Sequence, residues 1–393
     1  MTAMSYQRRA VLIHYSEDAG HSHDSYVQQA AGESDTRQRI MLAAVHYRPS
    51  APSDTVIVFM HPMHGLAHHP LVEHLAAAGH HVLCCPSRYS SDSSLIMEKV
   101  VSDLGGCVRH LKDELGYRRV VLAGWSGGGA LMAFYQSQAE NPTVVDTPAG
   151  DPYNLVRAGL IPADGIMFIA AHASRHQLLT ESLDPAVVDE RDPSVRDPRW
   201  DLYATDALTR PPYSDSFIAS YRAAQIDRNR RITTWVRATL RHLRESGRQD
   251  EEYAFTVHGT MADPRWLDPS VDPNERRANW CYQGDPRVVN NGPTGLARFS
   301  TLRSWLSQWS YDESMADGPA RAAEISVPVL VIAMGADDAC PPSHPRALFD
   351  AVPHDDKEFH VIPGVNHYIQ GTPDGLPRTR ALCQNWLKAH DFG

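Results

Sequence analysis

The chain has 393 residues, of which 42% are hydrophobic and 21% are charged. This composition excludes a disordered chain, and no apolar run reaches the roughly 18 residues that a membrane span requires. The formal net charge of −10 argues against a nucleic-acid partner, because binding to phosphates requires a dense basic surface. The length predicts either two domains or one α/β domain with a large insertion.

The N-terminal sequence shows no signal-peptide pattern, because its apolar stretch at residues 10–13 is too short to form a hydrophobic segment. The six cysteines match neither the spacing of a zinc site nor a disulfide framework. We therefore expect reduced thiols in a cytoplasmic protein. We also expect no cofactor and no nucleic-acid or membrane partner.

Short apolar runs alternate with amphipathic segments near both ends of the chain. The predicted strands are residues 10–15, 39–47, 55–60, 81–85, 119–123, 165–170, 327–334 and 358–362. The predicted helices between and after them are residues 70–79, 94–115, 130–138 and 378–390. This alternation predicts an α/β fold with a doubly wound, mostly parallel sheet.

The middle of the chain breaks this alternation. It predicts a cap or lid insertion at residues 171–325, between two parts of one core domain at residues 1–170 and 326–393. Helical candidates lie at residues 216–243 and near 296–309, and six of the eight tryptophans fall in this segment. These aromatics predict either a lid over an apolar pocket or the insertion's own core. The size of the insertion also suggests a homodimer interface.

A G-x-S-x-G sequence, Gly124-Trp125-Ser126-Gly127-Gly128, stands between a predicted strand and a predicted helix. This context predicts a nucleophile elbow, in which the serine occupies a strained turn and its neighbours must be small. Such an elbow calls for an acid and then a histidine later in the chain. Asp337 and Asp338 follow the predicted strand at 327–334, and His367 follows the predicted strand at 358–362.

The motifs GWSGGG, GADDACPP and PGVNHY resemble those of the α/β-hydrolase superfamily. The resemblance covers about residues 40–171 and 326–390. It implies the α/β-hydrolase fold, with the cap inserted after the sixth sheet strand. It also implies that Ser126 is the nucleophile and His367 the general base.

The resemblance further implies that Asp338 is the acid that orients His367, since the superfamily's G-x-x-D spacing is counted from Gly335. Asp337 remains the alternative. Relatives that cleave epoxides or carbon–halogen bonds carry an aspartate where this chain has Ser126, so these reactions are disfavoured.

Catalysis by a serine also requires N–H donors for the developing oxyanion. The amide of Gly127, directly after the serine, is the first expected donor. The second should come from the sequence His61-Pro62-Met63-His64-Gly65, which follows the predicted strand at 55–60. Pro62 has no N–H, so Met63 is our first choice and His64 the second.

Other residues are candidates for substrate contact. They are His64, Trp125, Tyr213, Tyr221, Trp235, His258 and Trp266. Arg88 could contact a substrate carboxylate, although an ion pair is equally compatible with its position. The histidines at 61, 64, 68 and 69 could bind a metal, but no acid or cysteine with ligand spacing lies nearby, so we expect no metal.

These features predict a serine hydrolase that cleaves a carboxylic ester or lactone through an acyl-enzyme on Ser126. The expected substrate is a bulky, largely apolar small molecule, because the insertion is large and rich in aromatics. An alternative is hydrolysis of a carbon–carbon bond in a vinylogous diketone by the same three residues. A non-catalytic binding module is a third hypothesis, and the retention of all three residues argues against it.

Overall fold

A computed structural model describes residues 6–18, 37–293 and 295–393 of the protein. These described residues include ten strands: β1 (Tyr6–Asp18), β2 (Arg37–Pro49), β3 (Thr55–Phe59), β4 (His81–Cys84), β5 (Arg119–Ser126), β6 (Gly165–Ala171), β7 (Ala254–Thr256), β8 (Phe299–Thr301), β9 (Val329–Met334) and β10 (Lys357–Ile362). Eight of them form one sheet in the order β1-β2-β4-β3-β5-β6-β9-β10. The strands β7 and β8 form a separate antiparallel pair.

Most of the large sheet is parallel, from β4 to β10. The pairs β1–β2 and β2–β4 are antiparallel. Every residue of β3, β4, β6 and β9 is buried. A strand covered on both faces reads as a continuous apolar run, which is why these strands were recognisable from the sequence. The predicted doubly wound sheet is confirmed.

The helices are α1 (Pro70–Ala77), α2 (Met97–Arg109), α3 (Gly128–Glu140), α4 (Arg175–Ser182), α5 (Asp215–Glu245), α6 (Pro286–Val289), α7 (Leu302–Ser304), α8 (Gly318–Ala322), α9 (Ser343–Ala351) and α10 (Gly375–Ala389). A π-helical turn extends α2 through His110–Glu114, and a second extends α7 through Trp305–Trp309. Val100 and Leu104 of α2 pack in one core cluster, whereas Leu71 of α1 and Leu387 of α10 pack in another. Two apolar layers therefore sandwich the sheet.

The large insertion lies between two neighbouring strands. β6 and β9 pair side by side, and the chain between them forms α4 to α8 together with β7 and β8. Trp266, Trp305 and Trp309 are buried in a cluster of this segment, and the last two rings stack with centroids 5.0 Å apart. Of the two predicted roles, these aromatics therefore take the packing role. The division into three domain segments stays a prediction.

The longest helix is α5, which has 31 residues and begins where the side chain of Ser214 accepts a hydrogen bond from the amide of Phe217. It extends the predicted helix at 216–243 by only one to two residues at each end. Its buried stripe includes Tyr221, Ile232 and Val236, whereas most of its other positions are charged or polar. Among the described helices, none combines the length and apolar character needed to cross a bilayer.

Two parts of the insertion and its surroundings differ from expectation. The segment predicted as a helix near 296–309 begins instead with β8 and continues as α7 and its π-helical turn. The sequence analysis also missed α4 and α9. In α4 the buried side chains include Arg175, His176 and Thr180, so the helix shows no apolar periodicity. Helices that bury polar groups are invisible to a pattern based on hydrophobicity.

Candidate active site

The predicted nucleophile elbow is present at the end of β5. Ser126 has φ of +55°, in the left-handed region that side chains rarely adopt. A Cβ atom on Gly124 would lie 2.6 Å from the carbonyl oxygen of Gly128, and one on Gly128 would lie 2.7 Å from the oxygen of Met60. Gly124 therefore allows β5 and α3 to approach each other, and Gly128 allows α3 to approach the residue that follows β3. The turn holds the Ser126 side chain partly open to solvent.

Three side chains form a continuous hydrogen-bonded chain. Ser126 Oγ lies 3.0 Å from Nε2 of His367. Nδ1 of His367 lies 3.1 Å from Oδ1 and 3.3 Å from Oδ2 of Asp337. The three residues stand at or after the carboxyl ends of β5, β10 and β9, which meet at one edge of the sheet. A hydroxyl, an imidazole and a carboxylate are thus aligned for proton transfer.

The acid in this chain is Asp337, so the prediction of Asp338 is wrong. The turn starts at Met334, whose carbonyl oxygen accepts the amide of Asp337 at 3.2 Å. The G-x-x-D spacing is counted from Gly335, one residue after the turn starts, and it therefore selects Asp338 instead of Asp337. Oδ1 of Asp337 also accepts the amides of Ala339 at 2.9 Å and Cys340 at 2.7 Å. These two bonds fix the carboxylate beneath the histidine.

The carboxyl of Asp338 has a different environment. Its Oδ1 is buried and has no hydrogen-bond partner among the described residues. Burial, and then the neighbouring charge of Asp337, raises the pKa of Asp338. Its main-chain oxygen accepts the amide of Tyr282, at 2.9 Å. Asp338 therefore joins the insertion to the loop after β9 through its backbone.

Trp125, predicted to contact substrate, instead supports the histidine. The indole is only 5% exposed, and its Nε1–H donates to the carbonyl oxygen of His367 at 3.1 Å. The ring also packs against the imidazole of His367, with centroids 4.7 Å apart. The elbow residue before the serine thus positions the loop that carries the histidine, and its contact with substrate stays a prediction.

The loop after β3 brings an imidazole beside the elbow. A Cβ atom on Gly127 would lie 2.8 Å from Nε2 of His61. The amide of Met63 donates to Nδ1 of His61 at 3.4 Å, and the His61 ring stacks on His64 with centroids 4.0 Å apart. Met63 therefore turns its N–H toward His61, which does not fit its predicted role as an oxyanion donor. His64 is exposed beside it.

The protonation of His61 follows from these contacts. Burial lowers the pKa of His61 well below its ordinary value, and the charges of His64 and Arg175 lower it further. A neutral imidazole carries one proton, and Nδ1 already accepts the amide of Met63. The proton therefore resides on Nε2, next to Gly127. Gly127 itself precedes the first turn of α3, where backbone N–H groups are free of helical partners.

The comparisons with known proteins agree with this architecture. Residues 306–374 match the family described as serine aminopeptidase, S33, and this segment contains Asp337 and His367. The structure of the α/β hydrolase GrgF from Penicillium sp. sh18 superposes with a TM-score of 0.52, covering 98% of this chain and 99% of that chain at 12% sequence identity. The chain has the α/β-hydrolase fold. The predicted resemblance is therefore confirmed at the level of the fold.

Other solved structures are similar over much of the chain. The monoacylglycerol lipase of Paleococcus ferrophilus is 16% identical, with 89% of this chain and 100% of that chain covered and a TM-score of 0.45. The esterase domain of a Rhodothermus marinus protein is 12% identical, with 98% of each chain covered and a TM-score of 0.46. No curated protein matches the sequence.

Within this α/β-hydrolase fold, the insertion supplies part of the wall around the serine. The ring centroid of Tyr282 lies 6.1 Å from that of His367. Arg175, the first residue of α4, is 4% exposed. Its Nε and Nη2 donate to Oε1 of Gln308 at 3.0 and 2.8 Å. Neither Tyr282 nor Arg175 was predicted from the sequence. Only the position of Arg175 shortly after β6, and that of Tyr282 within the insertion, could have drawn attention to them.

The remaining predicted substrate contacts lie inside the insertion. Tyr221 is fully buried and its hydroxyl donates to the carbonyl oxygen of Ala262 at 2.9 Å. Trp266 is 1% exposed, within the tryptophan cluster of the insertion. Tyr213 stacks on Phe217, with centroids 5.1 Å apart. These three aromatics pack inside the insertion, so the structure does not support their predicted contact with substrate.

Trp235 and His258 also lie away from the serine. Trp235 is 46% exposed on α5 and contacts Phe255. His258 lines a cavity of about 480 Å³ within the insertion, together with Arg287 and Arg298. Neither residue has a contact with the three aligned side chains in the described part of the chain. The prediction that they bind substrate at Ser126 is therefore not supported.

One group of side chains has donor atoms suited to a metal. A carboxylate oxygen of Asp337, Sγ of Cys340 and a ring nitrogen of His367 all lie within 4.8 Å of one another. Burial, and then the charge of Asp337, raises the pKa of the Cys340 thiol well above its ordinary value. A metal ligand must be a thiolate, which this environment disfavours. The hydrogen bonds of His367 to Ser126 and to Asp337 already account for the placement of these side chains.

Proposed function

We propose that the protein is a serine hydrolase that cleaves carboxylic esters through an acyl-enzyme on Ser126. The observation that carries the proposal is the continuous chain from Ser126 Oγ through His367 to Asp337. A serine hydroxyl is a weak nucleophile until an imidazole removes its proton, and a carboxylate behind the imidazole orients it. Each of these groups is within hydrogen-bonding distance of the next.

In the proposed reaction, Nε2 of His367 accepts the proton of Ser126 as Oγ attacks the carbonyl carbon of the ester. Asp337 accepts a hydrogen bond from Nδ1–H, which fixes the tautomer and stabilises the imidazolium ion. The imidazolium then donates its proton to the leaving alcohol. In the second half-reaction, His367 removes a proton from water, which attacks the acyl-enzyme and releases the acid.

The oxyanion would be bound by two neighbouring donors. We assign the first to the amide of Gly127, as the sequence predicted. We assign the second to Nε2–H of His61, because this atom lies beside Gly127 and its ring is neutral. A neutral imidazole can donate a hydrogen bond without transferring its proton. Removing one oxyanion donor typically lowers kcat by about 10²–10³-fold.

Lactones present the same kind of acyl carbon, so the proposal includes them. The expectation of a bulky, largely apolar substrate now has weaker support, because the aromatics of the insertion pack on one another. Carbon–carbon bond hydrolysis of a vinylogous diketone stays an alternative prediction, as do the homodimer and the cytoplasmic location.

The test is the substitution Ser126→Ala, assayed with p-nitrophenyl esters of increasing chain length. We expect turnover to fall by roughly 10⁴-fold or more, because the nucleophile is lost. Ser137→Ala is a matched control, since Ser137 is a buried serine of α3 whose hydroxyl donates only to its own helix. Circular dichroism should show both variants folded. Wild-type turnover by a folded Ser126→Ala variant would overturn the proposal.

A further inference from the structure

The buried arginines of this protein differ in how their charge is balanced. Arg265 is 4% exposed and contacts the carboxylates of Asp263, Glu181 and Asp272. Burial lowers the pKa of Arg265, but the charges of Asp263 and Glu181 outweigh this effect and raise it. Such pairing is the usual condition for placing a cation inside a protein.

Arg175 is equally buried, but its positive charge is poorly balanced by nearby carboxylates. The only carboxylate within ion-pair distance in the described part of the chain is Asp92, at 3.5 Å. Its Nε and Nη2 donate to the neutral side chain of Gln308, and its Nη1 has no hydrogen-bond partner among the described residues. Burial lowers the pKa of Arg175, and Asp92 offsets this effect only in part.

The position of Arg175 places this charge at the active site. In the sheet, Ala171 is the register partner of Ser126, and Arg175 follows Ala171 by four residues. Between them, His172 approaches the elbow, because a Cβ on Gly127 would lie 3.4 Å from its Nε2. Arg175 is also close enough for its charge to lower the pKa of His172, after burial and His344, and that of His61.

Two imidazoles beside the elbow, those of His61 and His172, are neutral. Burial is the largest cause that lowers the pKa of both His61 and His172 well below the ordinary range. Arg88, which the sequence offered as a carboxylate contact, is instead paired with Glu17 at 2.5 Å and Asp103 at 2.9 Å. Arg175 therefore supplies the permanent positive charge in the part of the wall beside the elbow.

We propose that Arg175 forms a carboxylate-binding subsite, so that the preferred substrate is an ester that also carries a free carboxylate near the scissile bond. The proposal rests on the ester-hydrolase function and names its substrate class. A guanidinium binds a carboxylate through charge-assisted hydrogen bonds, and Nη1 is available to make them. The substrate would supply the anion that the protein itself provides only through the long contact with Asp92.

The test compares matched p-nitrophenyl esters with and without a terminal carboxylate. The hemisuccinate, hemiglutarate and hemiadipate esters sample different distances from the acyl carbon, and the hexanoate ester is the neutral control. We expect the wild-type protein to have the higher kcat/KM for at least one anionic ester. In Arg175→Gln, KM for that ester should rise by roughly 10–100-fold, while KM for the hexanoate changes less than threefold.

Two further variants separate recognition from structure. Arg175→Lys keeps the charge and should retain part of the preference. Arg230→Gln removes an exposed arginine of α5 that pairs with Asp312, and it should leave both esters unaffected. Equal losses on neutral and anionic esters in Arg175→Gln would show that Arg175 only holds the loop, and would overturn the proposal. If Arg175→Gln does not fold, the wild-type and Arg175→Lys preferences decide the question.

A binding measurement distinguishes this proposal from the ester-hydrolase proposal. Calorimetry with the Ser126→Ala protein and p-nitrophenyl hemiglutarate should detect binding that is lost in the Ser126→Ala/Arg175→Gln double variant. Absence of any Arg175-dependent binding would overturn the subsite, even if ester hydrolysis by the wild type is demonstrated. Undiminished turnover by Ser126→Ala would instead overturn the serine mechanism and leave the binding result intact.

Discussion

The carboxyl edge of the sheet and the interior of the insertion hold their polar groups in different ways. At the sheet edge, Ser126, Asp337 and His367 come from three loops that the parallel strands bring together, and their side chains form one linear chain of hydrogen bonds. In the insertion, buried charges form a branched network whose members come from distant segments. The contrast teaches that the proposed catalytic residues follow from short motifs, whereas the proposed carboxylate subsite depends on tertiary packing.

The network in the insertion fixes α4, the helix that begins with Arg175. Near the other end of α4, Glu181 contacts Arg265 and His344. Nδ1 of His344 accepts the amide of Ala173 at 3.2 Å, so Nε2 carries the proton and donates to Glu181 at 3.0 Å. Paired charges thus hold α4 at the end that carries Glu181. At its other end lies Arg175, whose positive charge is only partly balanced.

The largest effect expected at the sheet edge concerns the two adjacent aspartates. Asp337→Asn should lower kcat by roughly 10⁴-fold, because an amide in this position favours the wrong tautomer of His367. Asp338→Asn is the matched control and should change kcat only a few-fold, since the carboxylate that is hydrogen-bonded to the imidazole is that of Asp337. Steady-state kinetics with one p-nitrophenyl ester measures both.

Equal losses in Asp337→Asn and Asp338→Asn would contradict the assignment of the acid. A loss confined to Asp338→Asn would restore the prediction made from the G-x-x-D spacing. Both variants should retain the thermal transition of the wild type within a few degrees, which shows that kcat reports on catalysis.

Much of the sheet edge could be predicted from the sequence. Ser126 stands out because only glycines at 124 and 128 allow the turn it occupies, and His367 because it follows the last apolar strand. The choice between Asp337 and Asp338 could not be made reliably. The direction of a side chain in a turn depends on where the turn starts, and the hydrogen bond from Asp337 to Met334 is a property of the folded backbone.

Little of the insertion could be predicted in the same way. The sequence predicts Tyr221 and Trp266 as substrate contacts because aromatic residues often line pockets. Only the packing of α5 against the rest of the insertion shows that they are buried. Arg175 carries no sequence signal of its own. Its significance depends on which carboxylates the fold brings near it, and no local pattern encodes that.

The second largest effect concerns the oxyanion site. His61→Phe should lower kcat by about 10²–10³-fold with little change in KM, because the ring remains but the Nε2–H donor is lost. His64→Phe replaces the neighbouring stacked ring and should leave kcat within about threefold. His61→Gln, which retains an N–H donor, should recover part of the loss. Unchanged kcat in His61→Phe would show that Met63 or another amide supplies the second donor.

The smallest expected effect is on the free energy of unfolding, and it concerns a contact between the core and the insertion. Glu98 at the start of α2 is fully buried, and its Oε2 accepts the hydroxyl of Ser307 in the π-helical turn after α7. Its Oε1 has no partner among the described residues. Burial raises the pKa of Glu98 from 4.5 to about 7, although hydrogen bonds, including the one from Ser307, oppose the shift. The folded protein therefore binds this proton more tightly than the unfolded chain does.

A raised pKa in the folded state gives stability that is complete below the unfolded pKa and is lost as the pH rises through the folded pKa. The free energy of unfolding should therefore decrease between about pH 4.5 and pH 7, by up to about 3 kcal/mol. Urea denaturation at several pH values measures this decrease. Glu98→Gln should flatten the profile in that range, whereas Glu73→Gln, which alters a half-exposed carboxylate of α1, should not. If the free energy of unfolding of Glu98→Gln decreased with pH as steeply as that of the wild type, the pH dependence would belong to another group. The contact between the core and the insertion would then not depend on the proton of Glu98.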